Sequence, residues 1–580
     1  MPLLSRESTR PEISLPPYIH AIPNSIANED LVYLQKKGTF IIPPAELQNE
    51  LLLCYTQYVH PYFPLIDVQG FRAAIEKNDG THGVSLLLFQ AVMFAGVAYV
   101  DMRFLIAQGY VSRTDARKSF FQRVKALYQS DYEVERITLL QAVLLMTYYY
   151  ENPDDQKDIL YWLAVAISLA RAIGLDHDTS NASAMSQQQR HLRKRIWWSC
   201  LIRDRLIAIG MRRPVQINND DFDTPMLEIS DFEIEPLPAE VTGIPGECPA
   251  AKDMSKRVTL AKMCIHLAKL CLYIGRVLAV QYCTSGRKID VRHETTERLV
   301  PKASPTDLCD VIQCNRELDQ WYQELPPEFH YFAPNSRQQS SPDDDKVINS
   351  HRALLAGVYF TAVSALHRPH TLTSTRNLLL DLELRELSKR KVEDAANKIT
   401  DMYKDLYDRD LVRYLPNTGV TCLLPAAVVH LLGIKSEDPD TRQASMHKFE
   451  FCIQVLQRLR EIYNSANYAI AFLSAAIRRT KVQIPWPDMD QHKPQPNPYL
   501  LMPPGCDMSI NPSSTGGSAP VLMGPSRDSQ DHEDMYGPLG VSDGVDALVT
   551  NQFDSGEDVV DLEMHCLDAF DFPESYLRET

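Results

Sequence analysis

Residues 161–174 read YWLAVAISLARAIG, and this stretch decides which class of fold the chain is expected to adopt. Its apolar residues follow one another almost without interruption, which predicts a buried helix over Tyr161–Ile173. Gly174 comes directly after the last apolar residue. It is a natural end for a helix, because glycine enters the left-handed conformation of a C-cap without strain.

Helical periodicity recurs on both sides of this stretch. The apolar stripes at helical spacing cover residues 47–58, 120–128, 137–147, 192–207, 260–278, 392–406 and 449–459. No alternating run long enough for a sheet appears, and no strand–helix repeat appears. The sequence therefore predicts an all-α fold, a large multi-helix bundle.

Composition excludes several classes of protein. The longest apolar run, Ser85 to Val100, is interrupted by Gln90 and is shorter than the ~18–20 residues of a membrane span, so it predicts a buried helix and no membrane partner. The 12 cysteines are scattered without a C-x-x-C pair, which favours small apolar residues in helices of a reducing compartment. A net charge of −16 disfavours binding of nucleic acid by this chain alone, because phosphate is negative too. A local basic patch is the alternative that this charge does not exclude.

The pattern along the chain predicts four segments. Residues 1–45 are expected to form an extended N-terminal arm and residues 46–482 the helical domain, with surface loops near 228–253 and 333–346. Residues 483–530 have the Pro/Gly/Ser-rich composition of a linker. Residues 531–580 form an acidic tail and a candidate activation segment, since acidic residues keep its apolar side chains available to a partner. Those side chains are Leu562, Met564, Leu567, Phe570 and Phe572.

A motif downstream of Gly174 points to a family. Basic residues lead into paired tryptophans, then an aspartate, an Arg-Pro step and an acidic turn: Arg193, Lys194, Arg195, Trp197, Trp198, Asp204, Arg213, Pro214 and residues 220–223. This order resembles the fungal-specific transcription factor domain, the regulatory middle region of zinc-cluster transcription factors. HPYFPLID at 60–67, WYQELP at 321–326 and LHRP at 366–369 resemble the same family, with details similar to its cutinase transcription factor 1 beta group.

The resemblance implies a nuclear regulator of RNA polymerase II genes in a fungus, controlling a metabolic or secondary-metabolite gene set. It also implies an N-terminal cluster of six cysteines that binds two zinc ions and contacts DNA. The first cysteine here is Cys54, so the zinc ligands are absent from this chain and no cofactor is expected. Three explanations stay open: a co-regulator without its own DNA-binding head, a gene model that lacks an upstream exon, or a domain reused for ligand sensing.

The expected partners follow from the same reasoning. They are a DNA-binding transcription factor partner or homologue, the transcription machinery through the acidic tail, and a small-molecule effector. DNA contact would then be indirect. The alternative function is a small-molecule-binding or protein-interaction module that does not act at promoters.

Two roles stay open for the motif around Trp197 and Trp198. An architectural role is favoured, because paired tryptophans bury large apolar areas and Asp204 needs a basic partner such as Arg203 or Arg205. Pro214 would stop the helix. Ligand or DNA contact is the second interpretation. The basic stretches 190–195, 389–391 and 478–481 are interpreted as solvated helix faces, with nuclear import or phosphate contact as the alternative.

No known catalytic motif appears, so no enzyme is expected. The acidic turn 220–223 and Asp343 to Asp345 lack the ligand spacing of a calcium loop and are interpreted as solvated turns. His351, His367 and His370 are expected to be ordinary helix and loop residues, since no nucleophile or carboxylate is placed to work with them.

Overall fold

Sixteen α-helices make up nearly all the secondary structure in the part of the chain that the structure describes. The computed structural model describes residues 11–81, 83–150, 157–180, 183–234, 254–286, 297–302, 308–331, 345–372 and 379–480. All of them belong to one compact unit. The predicted linker and acidic tail, with Leu562, Met564, Leu567, Phe570 and Phe572, lie outside the described residues.

The helices in chain order are α1 Asn28–Lys36, α2 Ala45–Tyr58, α3 Val68–Lys77, α4 Leu86–Val97, α5 Met102–Ile106, α6 Arg113–Gln129, α7 Arg136–Met146, α8 Ile159–Ile173, α9 Gln187–Met211, α10 Met254–Gln281, α11 Leu308–Glu324, α12 Asp345–Leu372, α13 Leu379–Asp408, α14 Thr418–Gly433, α15 Pro439–Leu459 and α16 Asn464–Thr480. The all-α prediction is confirmed. Two short antiparallel strands, β1 Tyr282–Gly286 and β2 Glu297–Pro301, form a hairpin that the sequence pattern did not predict.

Two helices show how the apolar pattern becomes structure. In α8, the helix predicted first, Gly174 follows the last residue with a φ of 71°, the left-handed conformation that ends a helix. In α4 all 12 residues are buried, because the helix is covered by α2, α6 and α7. A helix that is apolar on every side needs such a cover. Both predictions are confirmed.

Helix α9 connects the two halves of the bundle. It packs against α8 from the N-terminal half and against α10, α12 and α14 from the C-terminal half. The hairpin lies at its C-terminal end, where the backbone N–H of Leu299 donates to the carbonyl of Arg212 at 2.8 Å. The residues of the family motif therefore lie at the junction of the bundle.

Helix α10 is the one described helix with the length and apolar composition of a membrane span. Within its most apolar window, 56% is buried, because α9, α11 and α12 pack against it. This burial is typical of a core helix.

The prediction of an extended arm over residues 1–45 is wrong for its second half. Residues 28–36 form α1, and its Leu31 and Leu34 are fully buried. Two apolar side chains are too few to give a clear helical period, so packing against the bundle stabilises this helix. The preceding residues are extended but bound to the domain: His20 and Val84 form a backbone hydrogen bond of 3.0 Å, and Tyr18 donates to Gln48 at 2.9 Å.

Candidate functional site

The candidate site is centred on α9, whose two ends are fixed by local sequence. Ser186 forms a capping box with Gln189: its hydroxyl accepts from the Gln189 N–H at 3.2 Å, and the Gln189 side chain accepts from the Ser186 N–H at 3.0 Å. At the other end Arg212 adopts a φ of 50° and ends the helix. Arg213 and Pro214 follow it in the connecting loop.

The paired tryptophans are buried on the same side as the acidic turn. Trp197 is 0% and Trp198 is 2% exposed. Both rings make edge contacts with the Phe222 ring, at centroid distances of 5.5 Å and 5.7 Å. The Trp198 indole N–H donates to the carbonyl of Pro225 at 2.8 Å, whereas the Trp197 indole N–H has no partner among the described residues. The tryptophans thus hold the loop that follows α9 against the helix.

Asp204 and Arg205 form a buried ion pair at 2.5 Å, and each side chain is 1% exposed. The Asp204 carboxylate also accepts from the backbone N–H groups of Gln216 and Ile217, at 3.0 Å and 3.2 Å. Burial raises the pKa of Asp204, while Arg205 and these two N–H groups oppose that shift. The pair therefore fastens the loop after α9 to the helix.

The Arg205 guanidinium also reaches across to α10. It donates to Asn219 at 2.8 Å, and the Asn219 amide donates to the carbonyl of Leu272 at 3.1 Å. A Cβ at Gly275 would lie 2.7 Å from Arg205 Nε, so only glycine leaves room for the guanidinium here. Helix α9, its loop and α10 are thereby connected through the side chains of Arg205 and Asn219.

Arg203 is buried without a carboxylate partner among its described contacts. It donates to the hydroxyl of Thr147 at 2.9 Å and to the Thr147 carbonyl at 2.5 Å, and its guanidinium lies 4.7 Å from the centre of the Tyr148 ring. Burial lowers the pKa of Arg203. Its role is to bind the end of α7, by hydrogen bonds and by a cation–π contact.

Arg195, about two turns nearer the helix start than Arg203, forms the second buried ion pair. Its guanidinium donates to Glu233 at 2.5 Å and to the carbonyls of Pro64 and Asp231, at 3.2 Å and 2.6 Å. The Glu233 carboxylate also accepts from the Val68 N–H at 3.2 Å. Burial raises the pKa of Glu233 to about 7 despite the neighbouring Arg195, and Asp67 contributes in the same direction.

A cavity of about 90 Å³ lies beside this second pair. It is enclosed by α2, the segment after it, α9 and the first turns of α10 and α12. Most of its surface is apolar, and its polar side chains are those of Thr56, Gln57, His60, Gln69, Arg195, Glu233 and Arg257. The Nδ1 atom of His60 is buried and has no hydrogen-bond partner among the described residues. Burial, assisted by Arg195 and Arg257, lowers the pKa of His60 to about 3, so its imidazole is neutral.

The basic residues of the motif do not form a surface for phosphate. Arg193 donates to the carbonyl of Ile173 at 2.7 Å, and Lys194 pairs with Asp231 at 2.7 Å. Arg213 donates to the carbonyl of Glu297 at 2.8 Å, which ties the loop to the hairpin. The interpretation of 190–195 as a solvated helix face is therefore wrong. In the second basic stretch Lys389 and Arg390 are exposed, while Lys391 pairs with Asp319 at 2.8 Å.

The other residues singled out from the sequence lie in an exposed loop or in packed helices and do not form a common site. Asp220, Asp221 and Asp223 are exposed in the loop after α9. The three histidines all lie in α12, where His351 contacts the carbonyl of Gln57 at 2.8 Å and His367 contacts Asn315 at 2.9 Å. Seven of the nine cysteines within the described ranges are buried. In those ranges there is no cluster of three or more side chains suited to a metal ion.

Sequence reasoning missed the polar side of the cavity. Glu233 lies in the stretch 228–253 that the sequence predicts to be a surface loop, and no sequence motif includes Arg257. His60 was quoted as the first residue of a family motif without a role. The signal was present in Glu233 next to Phe232 and Ile234, because a carboxylate between two large apolar side chains is expected to be buried beside a base.

The comparisons with known proteins agree with the motif. The model of the fungal specific transcription factor domain matches residues 52–323. Cutinase transcription factor 1 beta of Fusarium vanettenii is 44% identical over 81% of this chain and 54% of its own length. A transcription factor of Fusarium pseudograminearum is 36% identical over 79% of this chain and 51% of its own length. Transcription factor cpaR of Aspergillus oryzae is 32% identical over 80% of this chain and 77% of its own length.

This chain spans about half the length of the two Fusarium relatives. The residues matched by the family model, 52–323, include the helix that carries both ion pairs and the paired tryptophans. The resemblance to the cutinase transcription factor 1 beta group is confirmed. The chain belongs to the family of fungal proteins that contain the fungal specific transcription factor domain.

Proposed function

We propose that this chain is a nuclear regulator of RNA polymerase II transcription that controls a metabolic or secondary-metabolite gene set in a fungus. One observation carries the proposal: relatives named as transcription factors align along about four fifths of the chain. The described residues also offer no cluster suited to a metal ion, and the charged residues of α9 bind other parts of the bundle.

DNA contact is proposed to come from a DNA-binding transcription factor partner or homologue. Two observations support this. The net charge is −16, which repels phosphate. The basic residues of α9 are occupied by Ile173, Asp231 and Glu233, so this helix offers no free cation for a nucleic acid.

The acidic tail is proposed to recruit the transcription machinery. Acidic residues alternate there with aromatic and aliphatic ones, a composition typical of segments that fold into the groove of a partner protein. Residues 525–580 fused to an unrelated DNA-binding domain should activate a reporter. Replacing Leu567, Phe570 and Phe572 with alanine should abolish that activation, and a fusion with Glu574→Gln serves as the matched control. Equal activation by the triple variant would contradict the proposal.

The regulator itself is tested by chromatin immunoprecipitation of the tagged 580-residue chain, together with a transcript profile of the deletion strain. Discrete promoter peaks with matching changes in transcripts are expected. Fluorescence microscopy should place the tagged chain in the nucleus. Cytosolic protein with no peaks and no transcript change would favour the second candidate, a ligand-binding module away from promoters, which the cavity beside Arg195 supports.

A further inference from the structure

Helix α12 contains a proline close to its end. Pro369 lies three residues before the last residue, Leu372. Proline has no backbone N–H and its ring crowds the carbonyl four residues earlier, so residue 369 gives no hydrogen bond to the carbonyl of Ala365. Ala365 is 2% exposed, and a carbonyl left unpaired there would lose its hydrogen bond to water without a replacement. The helix therefore requires a donor from another element at this position.

The end of α10 and the start of the hairpin supply this donor. The Tyr282 hydroxyl, at the first position of β1, donates to the carbonyl of Ala365 at 2.7 Å. Gln281, the last residue of α10, donates from its side-chain amide to the neighbouring carbonyl of Leu366 at 2.6 Å. Tyr282 and Gln281 are both buried. Two side chains thus provide hydrogen bonds to the helix where the proline interrupts its own.

The other strand of the hairpin is bound to the end of α9. The backbone N–H of Leu299 in β2 donates to the carbonyl of Arg212 at 2.8 Å. The Arg213 guanidinium donates to the carbonyl of Glu297, also at 2.8 Å. The hairpin therefore connects the loop after α9 with residues 365–366 of α12.

Before the proline, α12 is held by a different set of contacts through His367. Its Nε2 atom lies 2.9 Å from the Asn315 Oδ1 atom on α11, and its Nδ1 atom lies 3.1 Å from the Ser388 hydroxyl on α13. The amide nitrogen of Asn315 donates to Asp319 at 3.1 Å, so its Oδ1 atom faces His367 as an acceptor. The imidazole therefore donates from Nε2 and accepts from Ser388. These contacts do not involve the hairpin.

We propose that the hairpin is a clasp that fixes the last turn of α12, so that the hairpin and this turn form and open as one unit. Beyond Pro369, the side-chain amide of Gln281 also contacts the Nε2 atom of His370 at 2.7 Å. Any partner that displaces the hairpin therefore also releases the end of α12, while His367 keeps the rest of the helix in place. This conformational coupling goes beyond the proposed role in transcription.

A double-mutant cycle on the purified full chain, followed by urea unfolding, tests the coupling. Tyr282→Phe leaves the carbonyl of Ala365 unpaired and should raise the equilibrium constant of unfolding about tenfold. Pro369→Ala restores a backbone N–H that reaches the same carbonyl. In that background Tyr282→Phe should raise the constant by less than about threefold, because the carbonyl keeps a donor.

Tyr403→Phe is the matched control. The Tyr403 hydroxyl donates to the carbonyl of Gly419 at 2.7 Å, a buried bond of the same kind that does not involve Pro369. The control should therefore have the same effect with proline or alanine at position 369. An equal effect of Tyr282→Phe in both backgrounds would overturn the proposal. No effect of Tyr282→Phe in the natural chain would overturn it as well.

Hydrogen exchange followed by mass spectrometry tests whether the two elements open together. Tyr282→Phe should speed exchange at least about fivefold in peptides that cover residues 297–301 and 366–372, and leave residues 345–360 of α12 unchanged. Faster exchange in the hairpin alone would contradict the clasp. Circular dichroism shows that each variant is folded. These experiments contain no DNA and no partner protein, so their failure leaves the proposed role in transcription intact, and an absence of promoter peaks leaves the clasp intact.

Discussion

Helix α9 carries two buried ion pairs about ten residues apart, and they differ in how deeply they are buried and in whether a cavity adjoins them. At Asp204 and Arg205 both side chains are 1% exposed and both carboxylate oxygens have partners, while the Arg205 Nε atom is buried without a partner among the described residues. Around Arg195 and Glu233, the carboxylate is 20% exposed, a cavity adjoins the pair, and the His60 Nδ1 atom lacks a partner among the described residues. The first pair holds the bundle together, and the second has space to exchange partners.

Among the substitutions that distinguish the two ion pairs, Asp204→Asn is expected to have the largest effect on the free energy of unfolding. The change leaves the Arg205 guanidinium buried beside a neutral amide, which should lower the free energy of unfolding by about 3–5 kcal/mol. Urea unfolding followed by tryptophan fluorescence measures it. A loss below about 1 kcal/mol would show that Asn219 alone satisfies Arg205, and that the first pair is no more essential than an exposed one.

A smaller, pH-dependent contribution to the free energy of unfolding is expected from the carboxyl group of Glu233. Burial raises the pKa of Glu233 from its ordinary value of 4.5 to about 7 in the folded chain, against the opposing influence of Arg195. The folded state therefore holds the proton more tightly. The stabilising contribution is complete below pH 4.5 and is lost as the pH rises through about 7.

Glu233→Gln should remove this dependence. Between pH 5 and pH 7 the stability of the natural chain should fall relative to the variant by about 2 kcal/mol. The groups that face Glu233 are Arg195, Asp67, Arg257 and His60. The last of these is neutral throughout the range, because its pKa lies near 3. Parallel stability curves for the two proteins would mean that Glu233 is ionised at pH 5.

A still smaller effect should distinguish the two tryptophans. Trp198→Phe removes the hydrogen bond to the Pro225 carbonyl and leaves that acceptor unpaired, whereas Trp197→Phe removes an indole N–H that has no described partner. The Trp198 variant should be less stable than the Trp197 variant by about 1 kcal/mol. Thermal unfolding of the two proteins at one concentration compares them, and the reverse order would contradict the assignment.

The smallest effect is expected from an exposed ion pair. Arg276 and Glu317 approach to 2.6 Å, but the arginine side chain is 49% exposed. Glu317→Gln should change the free energy of unfolding by about 0.5 kcal/mol or less, since water screens the pair. A loss as large as that of Asp204→Asn would show that burial is not what separates the pairs.

The sequence predicts those parts of the molecule that depend on residues close together in the chain. Helix α8 and its end at Gly174 follow from one unbroken apolar run and one glycine. The buried helix α4 follows from an apolar run too short for a membrane. Asp204 was expected to need a neighbouring base, because the candidate partners Arg203 and Arg205 lie beside it in the chain.

The parts that could not be predicted depend on contacts between distant residues. Arg195 meets Glu233 across 38 positions, and His60 meets both only after α2, α9 and α10 have packed together. Helix α1 was missed because Leu31 and Leu34 gain their burial from other elements, and the hairpin was missed because each strand has five residues. The residues of the family motif can be identified in the sequence. The sequence does not show that their side chains point into the bundle.

Helix α10 reaches from one of these regions to the other. Its 28 residues extend about 42 Å as a straight helix. Arg257 near its start lies at the cavity, Gly275 near its end holds the Arg205 guanidinium, and the hairpin follows directly at Tyr282. One continuous helix therefore spans the distance between the two ion pairs of α9. A substitution at either end of α10 therefore changes an element whose packing the other end shares.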